Sequence, residues 1–205
     1  YVKGKLYVGG ANKKVYCLDA KTGKIDWQTK LTDWVRSKPA MTSEGLLVAT
    51  VDGKIACVSK QKGEAKWTKQ VSTHQIYADL VVADDSVLVN DSDLWLRRID
   101  GFGELIWKRS LLNAFENKEG ERIFTDVLSG GTYYQSKPTA ADGQVYFGNA
   151  AGFLFSVDAD TGEEIWKFEM GGAISVGPAI GEGKVFAGQQ GGERFFYAVN
   201  AKTGK

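Results

Sequence analysis

The sequence predicts an all-β fold, a β-propeller of four-stranded antiparallel blades. Three observations carry the prediction: a tryptophan repeat, a proline phase that agrees with it, and short β-forming runs bounded by glycine turns. Trp27, Trp67 and Trp107 are 40 residues apart, Trp166 follows after 59, and each has a glycine four residues upstream, at Gly23, Gly63, Gly103 and Gly162. Gly204 repeats the glycine near the end of the chain. Self-similarity at a period of about 40 residues marks stacked supersecondary units. The prolines lie in matching segments, SKPA at Pro39, SKPT at Pro138 and VGPA at Pro178. Pro39, Pro138 and Asp79, which holds the same place in its unit, each precede the next tryptophan by 28 residues.

Taken in order, the repeat units are about 1–36, 37–75, 76–134, 135–173 and 174–205. Each carries a strand-like run: KLYVGG, GLLVAT, SVLVND, QVYFGN and KVFAGQ, rich in β-branched and aromatic residues and without a 3.6-residue apolar period. The fourth unit shows the plan most fully. QVYFG (144–148) and FLFSVD (153–158) read as strands joined by a turn at 149–152, the Asp160-Thr161-Gly162 turn leads to a strand around Trp166, and the Pro138 segment supplies another. Four strands per period is the plan of a propeller blade, and its tight turns account for 25 glycines against 3 prolines. In the third unit Pro138 comes 31 residues after Trp107, where Pro39 and Pro178 come 12 after theirs, which leaves a 19-residue insertion within 111–134. On this register the chain begins in the second strand of one blade and ends before the outer strand of another. The expectation is about five blades, two incomplete, forming one propeller segment (1–205) of a ring of seven or eight, with the remainder outside these residues.

Composition narrows the function. Twenty-six basic against 25 acidic side chains, a net charge of +1, lack the electrostatic footprint of a nucleic-acid binder. One histidine and two cysteines do not assemble a structural zinc site. No apolar run reaches the roughly 20 residues of a membrane-spanning helix. No nucleophile motif, histidine pair or phosphate-cradling loop is present, so the residues point to binding rather than catalysis.

In propellers the blade-to-blade connections and the hairpins between the two middle strands open onto one face. The connections offer Trp34, Arg36, His74 and Tyr77, and the insertion adds Tyr133 and Tyr134. The hairpins offer Asn12, Asp52, Asp91, Asp93, Asn149, Gln189, Gln190 and Arg194. His74 reads as a polar loop residue, and Asn90 to Asp93 as a hairpin turn rather than a calcium loop, since the glycine and distal glutamate of such a loop are lacking. Cys17 and Cys57 hold one repeat position in adjacent units and read as buried small side chains too far apart to bridge.

The segments CLDAKTGKIDW (17–27), SVDADTGEEIW (156–166) and AVNAKTGK (198–205) resemble the PQQ-like β-propeller repeat, whose signature Ala-x-Asp-x-x-Thr-Gly-x-x-x-Trp is called a tryptophan-docking motif. CVSKQKGEAKW and RIDGFGELIW depart further from it. The resemblance implies that the glycines and Trp27, Trp67, Trp107 and Trp166 are structural, and that the chain is periplasmic or lies elsewhere in the cell envelope. With no active-site motif in a rigid ring of sheets, the expectation is a non-catalytic module without a cofactor, binding a protein, peptide or glycan partner through its loop face. The family also holds quinoprotein dehydrogenases, which stack PQQ between a tryptophan and an adjacent-cysteine disulfide beside calcium and an aspartate base. Trp34 or Trp95, and Asp91 or Asp126, are the residue types here for that alternative, but no adjacent cysteine pair is present.

Overall fold

A computed structural model of the chain describes residues 2–92, 95–110, 136–149, 152–190 and 195–205. The insertion at 111–134, with Tyr133, Tyr134 and Asp126, lies outside the described residues, as do Asp93 and Arg194. Among the described residues all regular structure is β, in five antiparallel sheets whose strands follow chain order. The first sheet has β1 (Lys5–Gly10), β2 (Lys14–Asp19) and β3 (Ile25–Lys30). The second has β4 (Ala40–Met41), β5 (Leu46–Ala49), β6 (Lys54–Val58) and β7 (Ala65–Gln70). The third has β8 (Val81–Ala83), β9 (Ser86–Asn90), β10 (Trp95–Ile99) and β11 (Leu105–Ser110). The fourth has β12 (Thr139–Ala141), β13 (Gln144–Gly148), β14 (Phe153–Asp158) and β15 (Glu164–Glu169), and the fifth β16 (Ala179–Gly181), β17 (Lys184–Gly188) and β18 (Phe196–Asn200).

The chain divides into two compact units, one of Tyr1–Asp93 with Arg97–Ile106, the other of Leu94–Leu96 with Trp107–Lys205. In the first unit the middle strands of the second sheet are buried on both faces. Leu46, Val48, Ala56 and Val58 pack with Val15, Leu31 and Val35, while Leu47, Ala49, Ile55 and Cys57 pack with Ile76, Leu80, Val87, Val89 and Ile99. Strands covered on both sides read as unbroken apolar runs, which is why LLVA carries no polar alternation. In the second unit Tyr146, Leu154, Trp166 and Ile174 pack with Val185, Ala187 and Val199.

The turn before each outer strand explains the signature. Asp19 Oδ1 accepts the backbone N–H groups of Lys21 and Thr22 and the Thr22 hydroxyl, and Thr22 Oγ1 in turn accepts from Lys24 N. Asp158 and Thr161 repeat this set, and Asn200 Oδ1 accepts from Lys202 N and Thr203 N. The glycine that follows has φ of +70° at Gly23, +73° at Gly162 and +69° at Gly204, a region costly for residues with a Cβ. The Thr22 backbone N–H and hydroxyl, with the Lys21 N–H and the Lys5 ammonium, hold the Asp19 carboxyl below its ordinary range. A carboxylate whose pKa is lowered on folding stabilises above its unfolded pKa and loses that contribution as the pH falls through the folded value. Asp19→Asn is therefore expected to melt below wild type at neutral pH, with the difference closing below the usual carboxylate range; a gap constant from pH 7 to pH 2 in a thermal-melt series would contradict this.

The tryptophans sit opposite a recurrent bulge. Trp27 pairs with Cys17, Trp67 with Cys57 and Trp166 with Ser156, and immediately beyond each pair the outer strand holds one extra residue: Asp26, Lys66 and Ile165. Each indole then lies on the glycine of the next sheet's turn. A Cβ on Gly63 would stand 2.7 Å from the Trp27 ring, one on Gly103 2.8 Å from Trp67, one on Gly162 2.8 Å from Trp107 and one on Gly204 2.7 Å from Trp166. The indole N–H of Trp27 donates to Lys60 O at 3.1 Å, that of Trp107 to Ala159 O at 2.8 Å and that of Trp166 to Ala201 O at 2.8 Å. Trp67 makes no such bond among the described residues. The turn it meets, Asp100-Gly101-Phe102-Gly103, closes from Gly103 N to Asp100 O, one residue shorter than the Gly23-to-Asp19 closure. Cys17 and Cys57 are free and buried, and burial pushes both thiols above their ordinary pKa, which leaves them inert packing groups.

Candidate functional site

The connections and hairpins meet at one end of the sheets, and backbone hydrogen bonds tie them. In the first unit Val35 N donates to Gly10 O, Val51 N to Trp34 O, Val71 N and Ser72 N to Gly53 O, and Ser92 N to Gln75 O. In the second, Met170 N donates to Gly152 O, Ile174 N to Asn149 O and Gln190 N to Ala173 O. Small residues permit the close approach: a Cβ on Gly9 would stand 2.2 Å from Val35, and one on Gly148 2.3 Å from Ile174. The connections are thus held to the neighbouring hairpins by backbone hydrogen bonds.

Three of the expected loop-face residues come together in the first unit. The Arg36 guanidinium carbon is 5.4 Å from the centroid of the Trp34 ring and 5.8 Å from that of Tyr77. Trp34 is 43% exposed and Tyr77 40%, values that set them apart from the buried repeat tryptophans Trp107 and Trp166 at 8%. Gln75 Oε1 accepts the Tyr77 hydroxyl at 2.8 Å and fixes the ring's outer edge. Arg36 has no hydrogen bond or ion pair among the described residues. The acidic groups nearby are engaged: Asp33 pairs with Lys13 at 3.1 Å, Asp79 Oδ1 accepts Lys38 N at 2.8 Å, and Asp52 binds Lys54 and the hydroxyls of Thr50 and Thr32. Burial opposes ionisation of Asp52, but Lys54 and the two hydroxyls outweigh it and hold the carboxyl below the ordinary range.

The other expected residues are placed differently. His74 is exposed, with its Nδ1 3.2 Å from Thr73 Oγ1 and its backbone N–H donated to Ser72 Oγ at 3.0 Å. Asn12 is exposed and donates to Tyr16 Oη, and Gln190 is exposed beside the Ala173 bridge. Asn149 is 4% exposed, and its Oδ1 caps Phe153 N at 2.9 Å. Asp91 is corrected from a face residue to an interior one: it is 2% exposed, accepts from Ser72 Oγ and pairs with Arg97. Sequence reasoning overlooked Gln75, Ser72 and Arg97. The spacing Gln75-x-Tyr77, which mirrors Trp34-x-Arg36 on extended chain, was the available signal for the first of them.

A protein-family model described as outer membrane protein assembly factor BamB matches residues 1–156 and 124–205. The chain belongs to that family. The outer membrane protein assembly factor BamB of Yersinia pestis is 26% identical over 171 residues, covering 81% of this chain and 42% of the relative. Quinoprotein alcohol dehydrogenase PedH of Pseudomonas putida is 30% identical over 153 residues, covering 62% of this chain and 25% of the relative. The crystal structure of BamB from Moraxella catarrhalis superposes with a TM-score of 0.77 at 17% identity, covering all of this chain and 60% of that one, and the likeness shows the β-propeller fold. The chain spans less than half the length of the curated BamB relatives it matches. A quinone site of the kind found in the dehydrogenases does not fit the described residues. Cys17 and Cys57 are buried and lie in different sheets, Trp34 and Trp95 carry the cations Arg36 and Lys108 on their rings, and the described residues hold no group of three metal-ligating side chains.

Proposed function

We propose that this propeller segment is a non-catalytic docking module of the cell envelope, periplasmic in location, that binds a protein partner through its loop face. Membership of the BamB family supports the class of function, and the relative from Yersinia pestis is an outer membrane protein assembly factor. The observation that carries the reading is the exposed Trp34–Arg36–Tyr77 cluster, held on connections braced by backbone hydrogen bonds. Exposed aromatic and arginine side chains on a rigid scaffold are the composition of a binding hot spot, in which truncation of one anchor typically costs about 2 kcal/mol or more. No cofactor enters this reading.

Co-purification of envelope proteins with the protein, wild type against the double variant Trp34→Ala/Tyr77→Ala, tests it. Both side chains are exposed, so the melting temperature is expected to move by less than about 2 °C. Capture of the partner is expected to fall at least about tenfold. Equal capture by both proteins would place the docking surface elsewhere.

A further inference from the structure

We propose that the pocket between the first and second sheets binds a phosphate ester with an apolar body, its phosphate held by Lys3 and Lys60 and its body seated on the rings of Trp27 and Tyr7. The cavity measures about 700 Å³, within the range of small-molecule sites, and Met41, Lys5 and Asp26 complete the lining that matters here. It lies at the end of these sheets away from the connections, because Lys3 belongs to the turn before β1 and Lys60 to the turn between β6 and β7. It is therefore separate from the docking surface proposed above.

The same pair of rings is sealed elsewhere in the chain. Trp27–Tyr7 and Trp166–Tyr146 share one geometry, with centroids 5.9 Å apart and planes at 44°. Tyr146 is 1% exposed, with its hydroxyl 3.4 Å from Ala201 O, whereas Tyr7 is half-buried and borders the cavity. The residue whose carbonyl receives the indole N–H is a buried alanine at Ala159 and Ala201, but a lysine at Lys60. Lys5 likewise stands where the fourth sheet has Gln144, and Asp26 where it has Ile165. Three charged replacements thus converge on one junction, where packing alone asks for none of them.

Two of the lysines keep donors for a ligand. Lys5 is taken up by Asp26 at 2.7 Å and Asp19 at 3.5 Å. Lys3 is exposed and has no side-chain partner among the described residues, and Lys60 gives one N–H to Ser43 O at 3.3 Å. Asp85, whose carboxyl feels Lys60, is occupied by the N–H and hydroxyl of Ser43. An ammonium has three donors and acts as a point charge, which suits the spread oxygens of a phosphate. A carboxylate is matched more closely by the planar fork of arginine, and no arginine lines this cavity among the described residues.

The probes are monomeric dihexanoyl phosphatidylglycerol, dihexanoyl phosphatidylcholine and inorganic phosphate, titrated into the protein by isothermal calorimetry. Phosphatidylglycerol is expected to bind. Phosphatidylcholine is expected to be at least about tenfold weaker because its choline meets the lysines, and phosphate at least about tenfold weaker because it lacks the apolar body. Lys3→Gln/Lys60→Gln is expected to weaken phosphatidylglycerol at least about tenfold, while Lys21→Gln/Lys24→Gln, beside the turn that Lys3 occupies, changes it less than about twofold. Circular dichroism checks that the variants fold, and the order of the three probes on the wild-type protein tests the chemistry without any variant. Sedimentation with vesicles of equimolar phosphatidylglycerol and phosphatidylcholine distinguishes the source of the ester. Co-sedimentation that Lys3→Gln/Lys60→Gln abolishes identifies a bilayer lipid, and binding of the monomeric ester without co-sedimentation identifies a soluble one. Equal weakening by the two double variants would overturn the pocket in favour of diffuse attraction to basic turns. Binding of none of the probes, or equal binding of the two lipids, would overturn the proposal outright. Capture of a protein partner through Trp34 and Tyr77 is read separately and survives either failure.

Discussion

Trp166→Ala is expected to lower the unfolding free energy by about 3–5 kcal/mol, the range for a buried aromatic replaced by alanine. The indole is 8% exposed, its ring centroid lies 5.9 Å from that of Tyr146, and its N–H donates to Ala201 O at 2.8 Å. The space it would vacate cannot close. On one side stands the Gly204 turn, fixed by the Asn200 side chain, and on the other the β14–β15 ladder with its bulge. Trp166→Phe separates the two components. It retains most of the packing and leaves Ala201 O without the indole donor, for a loss of about 1–2 kcal/mol. Urea melts of the three proteins measure this. A loss below about 1 kcal/mol for Trp166→Ala would mean that the indole contributes no more than an exposed side chain.

Asp91→Ala is expected to cost about 3–5 kcal/mol, because it removes the buried carboxylate that pairs with the Arg97 guanidinium. The Arg97 side chain is 11% exposed and that of Asp91 1%, so water does not replace the lost carboxylate. Ser72 Oγ also loses its acceptor, and with it a side-chain link between the β9–β10 hairpin and the β7–β8 connection. The double variant Asp91→Ala/Arg97→Met tests the cause. Removing both charges is expected to recover most of the loss, a coupling visible in a double-mutant cycle. A fully additive pair would show that the two side chains act independently. The same experiment distinguishes an internal brace from a contact residue, since loss of a contact residue would weaken binding and leave stability unchanged.

The repeat was legible because its markers are set by local chemistry. The Asp-x-x-Thr-Gly turn needs a carboxylate, a hydroxyl and a residue at positive φ in fixed order, so the strands on either side fall where turn and composition place them. The expected strands 144–148 and 153–158 coincide with β13 and β14. Departures from the signature have a physical counterpart in the Asp100–Gly103 turn, whose shorter closure accompanies an indole without its hydrogen bond. The site was less legible. Asn90, Asp91 and Ser92 look alike in a polar hairpin, yet Asn90 and Asp91 are both buried, Asp91 against Ser72 of the preceding connection. Trp34 and Tyr77 are 43 residues apart in sequence and belong to separate connections, so their meeting around Arg36 follows from the stacking of sheets and not from any local pattern.

The seating of each indole on the following turn gives the repeat a direction in time. A ribosome releases the chain from its N-terminus, so Trp27 emerges 33 residues before the carbonyl that receives its N–H, Trp166 35 residues before its own, and Trp107 52 residues before its own. Each newly made sheet therefore waits, with one aromatic face unsealed, until its successor's turn has been synthesised. The third waits longest, because the insertion lies between donor and acceptor. Nascent-chain folding is expected to advance in steps that lag translation by about one period and to pause at the third sheet.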